Sequence, residues 1–260
     1  VPGLPASQIG IEAEKAALEK GLASIYPNIE GIPFAKEEIA RFIRSFMNIE
    51  TEPTYCIPTV GGMQGSFAAL LTAARTNPDK PYTLFIDPGF PVQKSQLNLL
   101  GLPFKAFDFQ HFRGGKLRGK LEEFLSEGNI CSICYSSPNN PTWCCFSEEE
   151  LKAIGELAGK NDVIVIEDLA YFGMDFREQY GLPNEAPFQP TVARYTNNYI
   201  LILSASKIFS YAGQRIAMLV FSREAYTRSY PNLKNYFPSD TMGRFIPYGV
   251  LYATTAGTSH

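Results

Sequence analysis

The chain is 260 residues long, 45% hydrophobic and 19% charged, enough apolar material for one sizeable core or two modest domains without staples. Its 23 basic and 26 acidic residues give a net charge of -3. Apart from a loose group at Lys105, Arg113, Lys116, Arg118 and Lys120 the basic residues are scattered, which leaves no electrostatic footprint for nucleic acid.

No run approaches the roughly 18 apolar residues that a membrane helix needs, and the first residues lack the basic, apolar and small-residue succession of a secretion signal. Five cysteines, an odd number in a chain of this length, fit a reducing compartment, so a cytoplasmic protein with no membrane partner is expected. Position 1 is Val, as expected of a chain that begins inside a longer one or after processing. Cys131 and Cys134 have a CxxC spacing, with Cys144 and Cys145 nearby. The run NICSICY (129–135) reads as a strand, however, and residues three apart on a strand face opposite sides, so no metal site is expected there.

In chain order, a helix is predicted after Ser7 on the stripe Ile9, Ala13, Ala16 and Ala17, ending near Gly21. Residues 24–33 read as irregular, and Ile39, Ala40, Ile43 and Phe46/Met47 predict a helix over 36–47. The segment PTVGGMQGSFAALLTAAR (58–75) is a glycine turn feeding a helix, and a strand follows at 82–87. Next come a helix over 91–100, with Pro91 suited to its first turn, a strand-like run at 102–107, a short helix at 117–126 and a strand at 130–135. Residues 147–159 open with Ser147 and three acids, a strong helix start. The run DVIVIED (162–168) is almost wholly apolar, as in a strand covered on both faces, and 199–203 and 216–221 are further buried strands. Residues 176–198, with three prolines, are predicted to form a surface excursion. The succession predicts an α/β fold with a mostly parallel central sheet and helices on both faces. Residues 51–235 would form this large domain, 1–50 a helical N-terminal segment, and 236–260 the start of a region leading to a small C-terminal domain outside this sequence.

Chemistry concentrates at strand ends. Lys207, in LSASKIFSYAGQRIAMLV (203–220), follows a buried strand, with Ser204 and Ser206 beside it and Arg215 eight residues later. A lysine desolvated there can attack an aldehyde, while the hydroxyls and guanidinium suit a phosphate. Asp168 ends the apolar strand, where open α/β sheets place ligands, and Tyr171 lies three residues on; Glu167 points to the other face. SSPNNPTW (136–143) and DPGFP (87–91) follow two other strands and present Asn140 and Phe90. TVGGMQG (59–65) opens a helix whose first amides are free to bind phosphate, but it has neither the GxGxxG nor the GK[ST] pattern of the nucleotide loops.

The ordered set of a glycine phosphate loop, DPGFP, NNPT, DLAY and SASK with an arginine eight residues later resembles class I/II aminotransferases of the pyridoxal-phosphate fold type I, aspartate aminotransferase-like superfamily. The resemblance runs from about Tyr26 to Val220 and implies the three-layer large domain of that fold. It also implies pyridoxal 5'-phosphate as cofactor, Lys207 as the Schiff-base lysine, and Asp168 as the partner of the pyridine nitrogen. By the same resemblance Asn140 and Tyr171 bond the ring 3-oxygen and Phe90 stacks on the ring. The Gly62 and Met63 amides, Ser204, Ser206 and Arg215 then receive the phosphate. Tyr26, in YPNIEG, matches the tyrosine that reaches the other subunit's phosphate, which implies a homodimer with shared sites.

Related decarboxylases carry His before the lysine and His on the ring. Here those positions are Ser206 and Phe90, which favours transamination between an amino acid and a 2-keto acid. A β/γ-lyase, such as a carbon–sulfur lyase, and a non-catalytic regulatory domain that binds the cofactor are the competing expectations. The sequence departs from the family pattern at Trp143, where glycine is usual, and at Ser137, where asparagine is usual. The family's substrate-carboxylate arginine lies in the small domain, and Arg244 is too early in the pattern for it. Substrate preference is not legible, and His111 and His260 receive no role.

Overall fold

The computed structural model describes residues 4–28 and 30–234. The region from 236 onward, with Arg244 and His260, lies outside them. Two helices come first. α1 (Gln8–Glu19) is capped by Ser7, and α2 (Pro33–Met47) starts at a proline whose missing N–H costs nothing in a first turn. That start is earlier than the apolar stripe alone predicts. α2 buries Ala40, Ile43 and Met47, whereas α1 buries no residue at all.

Seven strands then build one sheet: β1 (Cys56–Val60), β2 (Tyr82–Asp87), β3 (Phe104–Asp108), β4 (Ile130–Ser136), β5 (Ile164–Leu169), β6 (Tyr199–Ser204) and β7 (Ile216–Phe221). Their order is β1-β7-β6-β5-β4-β2-β3. Pairing is parallel throughout from β6 to β3, and β7 alone runs against its two neighbours. Between the strands lie α3 (Gly61–Thr76), α4 (Pro91–Leu99), α5 (Lys116–Leu125), α6 (Glu148–Lys160) and the single turn α7 (Ala205–Ile208), with α8 (Arg223–Lys234) after β7. α6 opens with a reciprocal capping box between Ser147 and Glu150.

Alternation along the strands sorts the core into two layers. Phe85, Cys134, Ile164, Ile166, Ile200, Ile202 and Leu219 pack with Ala68, Ala69, Leu70 and Ala73 of α3 on one face. Leu84, Ile86, Ile133, Tyr135, Val165, Leu201, Leu203 and Val220 pack with α2, α5 and α6 on the other. The result is a largely parallel central sheet with helices on both faces, the α/β layering that the order of runs predicts. The small residues of α3 let it lie close to the sheet: a Cβ on Gly65 would sit 3.3 Å from Leu219 and Thr59 side chains.

The stretch predicted as a surface excursion is only partly one. Residues 177–187 are largely exposed, but Gln189, Thr191 and Val192 are buried. The reason is Glu167, wholly buried on β5, which accepts from the Tyr135 hydroxyl (3.1 Å), the Thr191 hydroxyl and the Val192 N–H (3.1 Å). A buried carboxylate needs such donors, and the returning chain supplies two of them.

Candidate active site

Strand parity continues from the core to the rim. Asp168 follows Ile164 and Ile166 on the α3 face, Ser204 follows Ile200 and Ile202, and Ser136 follows Cys134. The parallel register pairs Ser136 with Asp168 and Asp168 with Ile202, so these side chains emerge side by side. β1 delivers Gly61 and Gly62, in the first turn of α3, to the same rim. β7, running the other way, delivers Arg215 there from its start. The two glycines thus belong to the helix itself rather than to a turn before it.

A cavity of about 270 Å³ opens at this rim. Gly62, Met63, Phe90 and Asn140 line it, together with Asp168 and Tyr171. Ser204, Ser206, Lys207 and Arg215 line it as well. The structure therefore brings together every residue singled out except Tyr26, which is 86% exposed on the N-terminal segment and does not line the cavity of its own chain.

Asp168 is buried, and burial pushes its carboxyl up to about 6 while hydrogen bonds from Ala170 N–H and Gln93 hold it down. Ala170 N–H donates to Oδ1 at 3.0 Å and Gln93 Nε2 to Oδ2 at 2.8 Å. Among the described residues no cation pairs with it. Lys207 stands on α7, where its carbonyl accepts from Ser210 N–H (3.4 Å); its amine makes no hydrogen bond or ion pair among the described residues and lies 6.0 Å from the Tyr171 ring centroid. Arg215, at φ 56 in the left-handed region, donates to the Ala212 carbonyl at 2.8 Å and meets no carboxylate among the described residues. Ser204 Oγ accepts from Ser206 N–H at 3.3 Å. Gly61 holds a φ of +72, and a Cβ there would fall 2.2 Å from Arg215 Nη2.

Two loops are joined at the cavity by a residue the motifs did not single out. Asn139, fully buried, donates to the Pro88 carbonyl (2.7 Å) and to Ser136 Oγ (3.3 Å), while its Oδ1 accepts from the Thr142 hydroxyl (2.7 Å). This latch fixes Asn140 relative to Phe90. Ser66, Ser136 and Ala170 also line the cavity without having been marked in the sequence. Trp143 adopts φ 61, the conformation for which glycine is suited, so the departure from the family pattern falls on a strained backbone. Its indole packs edge-on to Tyr171 (5.2 Å) and stacks on Phe176 (6.3 Å).

The donor set suits a flat, phosphorylated, cationic ring. Among the described residues, a buried carboxylate without a counter-cation, a guanidinium that meets no carboxylate, the first residues of a helix and an amine without a hydrogen bond share one cavity.

Residues 5–247 match the family described as aminotransferase class I and II. The chain belongs to that family, within the pyridoxal-phosphate fold type I superfamily. It is 25% identical over 214 residues to a probable aspartate aminotransferase of Methanocaldococcus jannaschii, covering 82% of this chain and 53% of that protein. An asparagine–oxo-acid transaminase of Streptococcus mutans is 27% identical over 212 residues, 80% of this chain and 51% of the relative. Among solved structures, a double mutant of Thermus thermophilus aspartate aminotransferase superposes with a TM-score of 0.73 at 19% identity, covering 97% of this chain and 63% of that one. YbdL of Escherichia coli, with a methionine aminotransferase function, gives 0.73 at 15% identity with the same coverage. The chain spans about half the length of the curated relatives it matches.

Proposed function

We propose that the protein is a pyridoxal-phosphate-dependent aminotransferase that moves an amino group between an L-amino acid and a 2-keto acid. The observation that carries this reading is the Lys207 amine, without a hydrogen bond or ion pair among the described residues, sharing one cavity with the buried Asp168 carboxylate and the Arg215 guanidinium. Pyridoxal phosphate supplies an aldehyde that condenses with amines and a protonated ring that takes up the electron pair left when an α-proton departs.

Bound there, the cofactor would be held by Lys207 Nζ at its aldehyde and by Asp168 at its ring nitrogen, with Asn140 and Tyr171 toward its 3-oxygen and Phe90 toward one ring face. The Gly62 and Met63 amides at the start of α3, with Ser204, Ser206 and Arg215 on the β6–β7 hairpin, would grip the phosphate. With the cofactor bound, the Lys207 amine would be the group placed to hold and move the substrate α-proton, as base and then as acid.

The exposed Tyr26 and the unburied apolar residues of α1 support a homodimer in which Tyr26 reaches the partner's phosphate.

The test is direct. Full-length protein is loaded with pyridoxal phosphate, reduced with borohydride and digested, and the modified lysine is located by mass spectrometry. Lys207 is the expected site, and its loss in Lys207→Ala the expected control. An adduct confined to another lysine overturns the assignment. With a panel of amino acids, keto-acid release that depends on a 2-keto-acid acceptor is expected; pyruvate and ammonia without an acceptor mean a lyase.

A further inference from the structure

Asp168 has two oxygens, and both are occupied by neutral donors. The Gln93 donor is the informative one. Gln93 is 3% exposed, on the inner side of α4, and its amide is held at both ends. Nε2 donates to Asp168 Oδ2 at 2.8 Å, and Oε1 accepts from Cys134 Sγ at 3.6 Å. Cys134 lies on β4, next to the strand that carries Asp168. Complete burial pushes the Cys134 thiol well above its usual range, with the Asp168 and Asp87 carboxylates adding to the effect, so the sulfur keeps its proton and acts as donor.

That fixes the amide. In the swapped orientation its oxygen would face the carboxylate, a repulsive contact in a dry site, and the thiol hydrogen would lose its acceptor. The chain of donors therefore runs one way, from thiol to amide to carboxylate.

The cation next to Gln93 on α4 does not interrupt it. Lys94, one residue along α4, is drawn off by Asp87 and lies over the Phe85 and Phe104 rings at 5.5 and 5.8 Å. A lysine or arginine in the place of Gln93 would neutralise Asp168 and compete with a cationic ring. A glutamine orients the carboxylate and leaves its charge unspent.

We propose that Gln93, oriented by Cys134, is a positioning residue that aims Asp168 and preserves its negative charge for the protonated nitrogen of the cofactor ring. The proposal rests on the aminotransferase reading and adds a component to its cofactor site.

The experiment uses ring-¹⁵N pyridoxal phosphate bound to the full-length protein and to Gln93→Met, which keeps the volume and removes the donor. In the parent the nitrogen resonance is expected at the position of a protonated pyridine. In Gln93→Met it is expected to move toward the neutral form, with cofactor affinity weaker by about tenfold or more, the usual weight of a hydrogen bond to a buried charge. Cys134→Ala, which frees the amide to turn, is expected to shift the resonance the same way by a smaller amount, and it serves if Gln93→Met does not fold. Asp168→Asn sets the fully neutral limit. An unchanged resonance and affinity in both the Gln93 and Cys134 variants, with Asp168→Asn shifted, overturns the role of Gln93 alone. A parent that binds no pyridoxal phosphate overturns the aminotransferase reading instead.

Discussion

Gly61 and Arg215 show how little room single residues have at this rim. Gly61 combines a φ of +72 with a missing side chain whose first atom would overlap the Arg215 guanidinium. Gly61→Ala is therefore expected to strain the start of α3 and push Arg215 off the phosphate position. Cofactor affinity, followed by titration of the bound chromophore, should fall about 10- to 100-fold, the range for losing a charge-assisted hydrogen bond. Thermal stability of the cofactor-free protein should drop too, because Ala pays the left-handed penalty. The residues with a covalent or ionic part, Lys207, Asp168 and Arg215, were legible because each sits at a predicted strand end in a short motif. Asn139 and Gln93 were not. Their roles lie in whom they meet, Pro88 across 51 residues and Asp168 across 75, and no local spacing encodes that. Trp143 was visible as an oddity, but its positive φ and its contact with Tyr171 were visible only in three dimensions.

Within β5, neighbouring acids face opposite layers and meet different fates. Asp168 looks toward the cavity, and Glu167 is sealed against Tyr135, Thr191 and Val192. Burial pushes Glu167 from 4.5 up to about 7, against the pull of its three donors. The folded chain thus keeps a proton that the unfolded chain loses above about 4.5. Its contribution to stability is fully present below that pH, fades as pH rises to about 7, and stays flat beyond. Denaturant melts of the cofactor-free protein and of Glu167→Gln, which is neutral throughout, should diverge across that window. The parent is expected to lose on the order of 3 kcal/mol relative to the variant between pH 4.5 and 7. Parallel curves would mean that Glu167 does not titrate as described. The strands themselves were the most legible elements, since unbroken apolar runs such as 163–166 admit few other readings. The return of residues 189–192 into the core was not, because prolines and polar residues there resemble a loop until the buried carboxylate that recruits them is known.

Across the whole molecule, the N-terminal segment is the part with the most exposed apolar side chains on one helix among the described residues. α1 leaves Ile9 84% and Leu18 57% exposed, and it is tied to the rest by a hydrogen bond from the Tyr211 hydroxyl to Glu14 Oε2 (3.0 Å), close to the Lys207 turn. The proposed homodimer would cover that face. Sedimentation of the full-length protein is expected to show a dimer, and Ile9→Asp with Leu18→Asp a monomer with weakened cofactor binding. Tyr26→Phe should leave the dimer intact and weaken cofactor binding by about 2- to 10-fold, as for one neutral hydrogen bond. A monomeric parent with full cofactor affinity would remove Tyr26 from the site. The α/β class and sheet-plus-helix layering were readable from the order of runs, whereas strand order and the reversal of β7 were not, since no residue in IAMLVF marks its direction. That reversal carries a lasting constraint. Amine and guanidinium hang from one hairpin, so an insertion or deletion between Ser204 and Ile216 resets their separation at a stroke. Length changes in the exposed stretch 177–187 leave that ruler untouched, and natural drift in chain length should collect there.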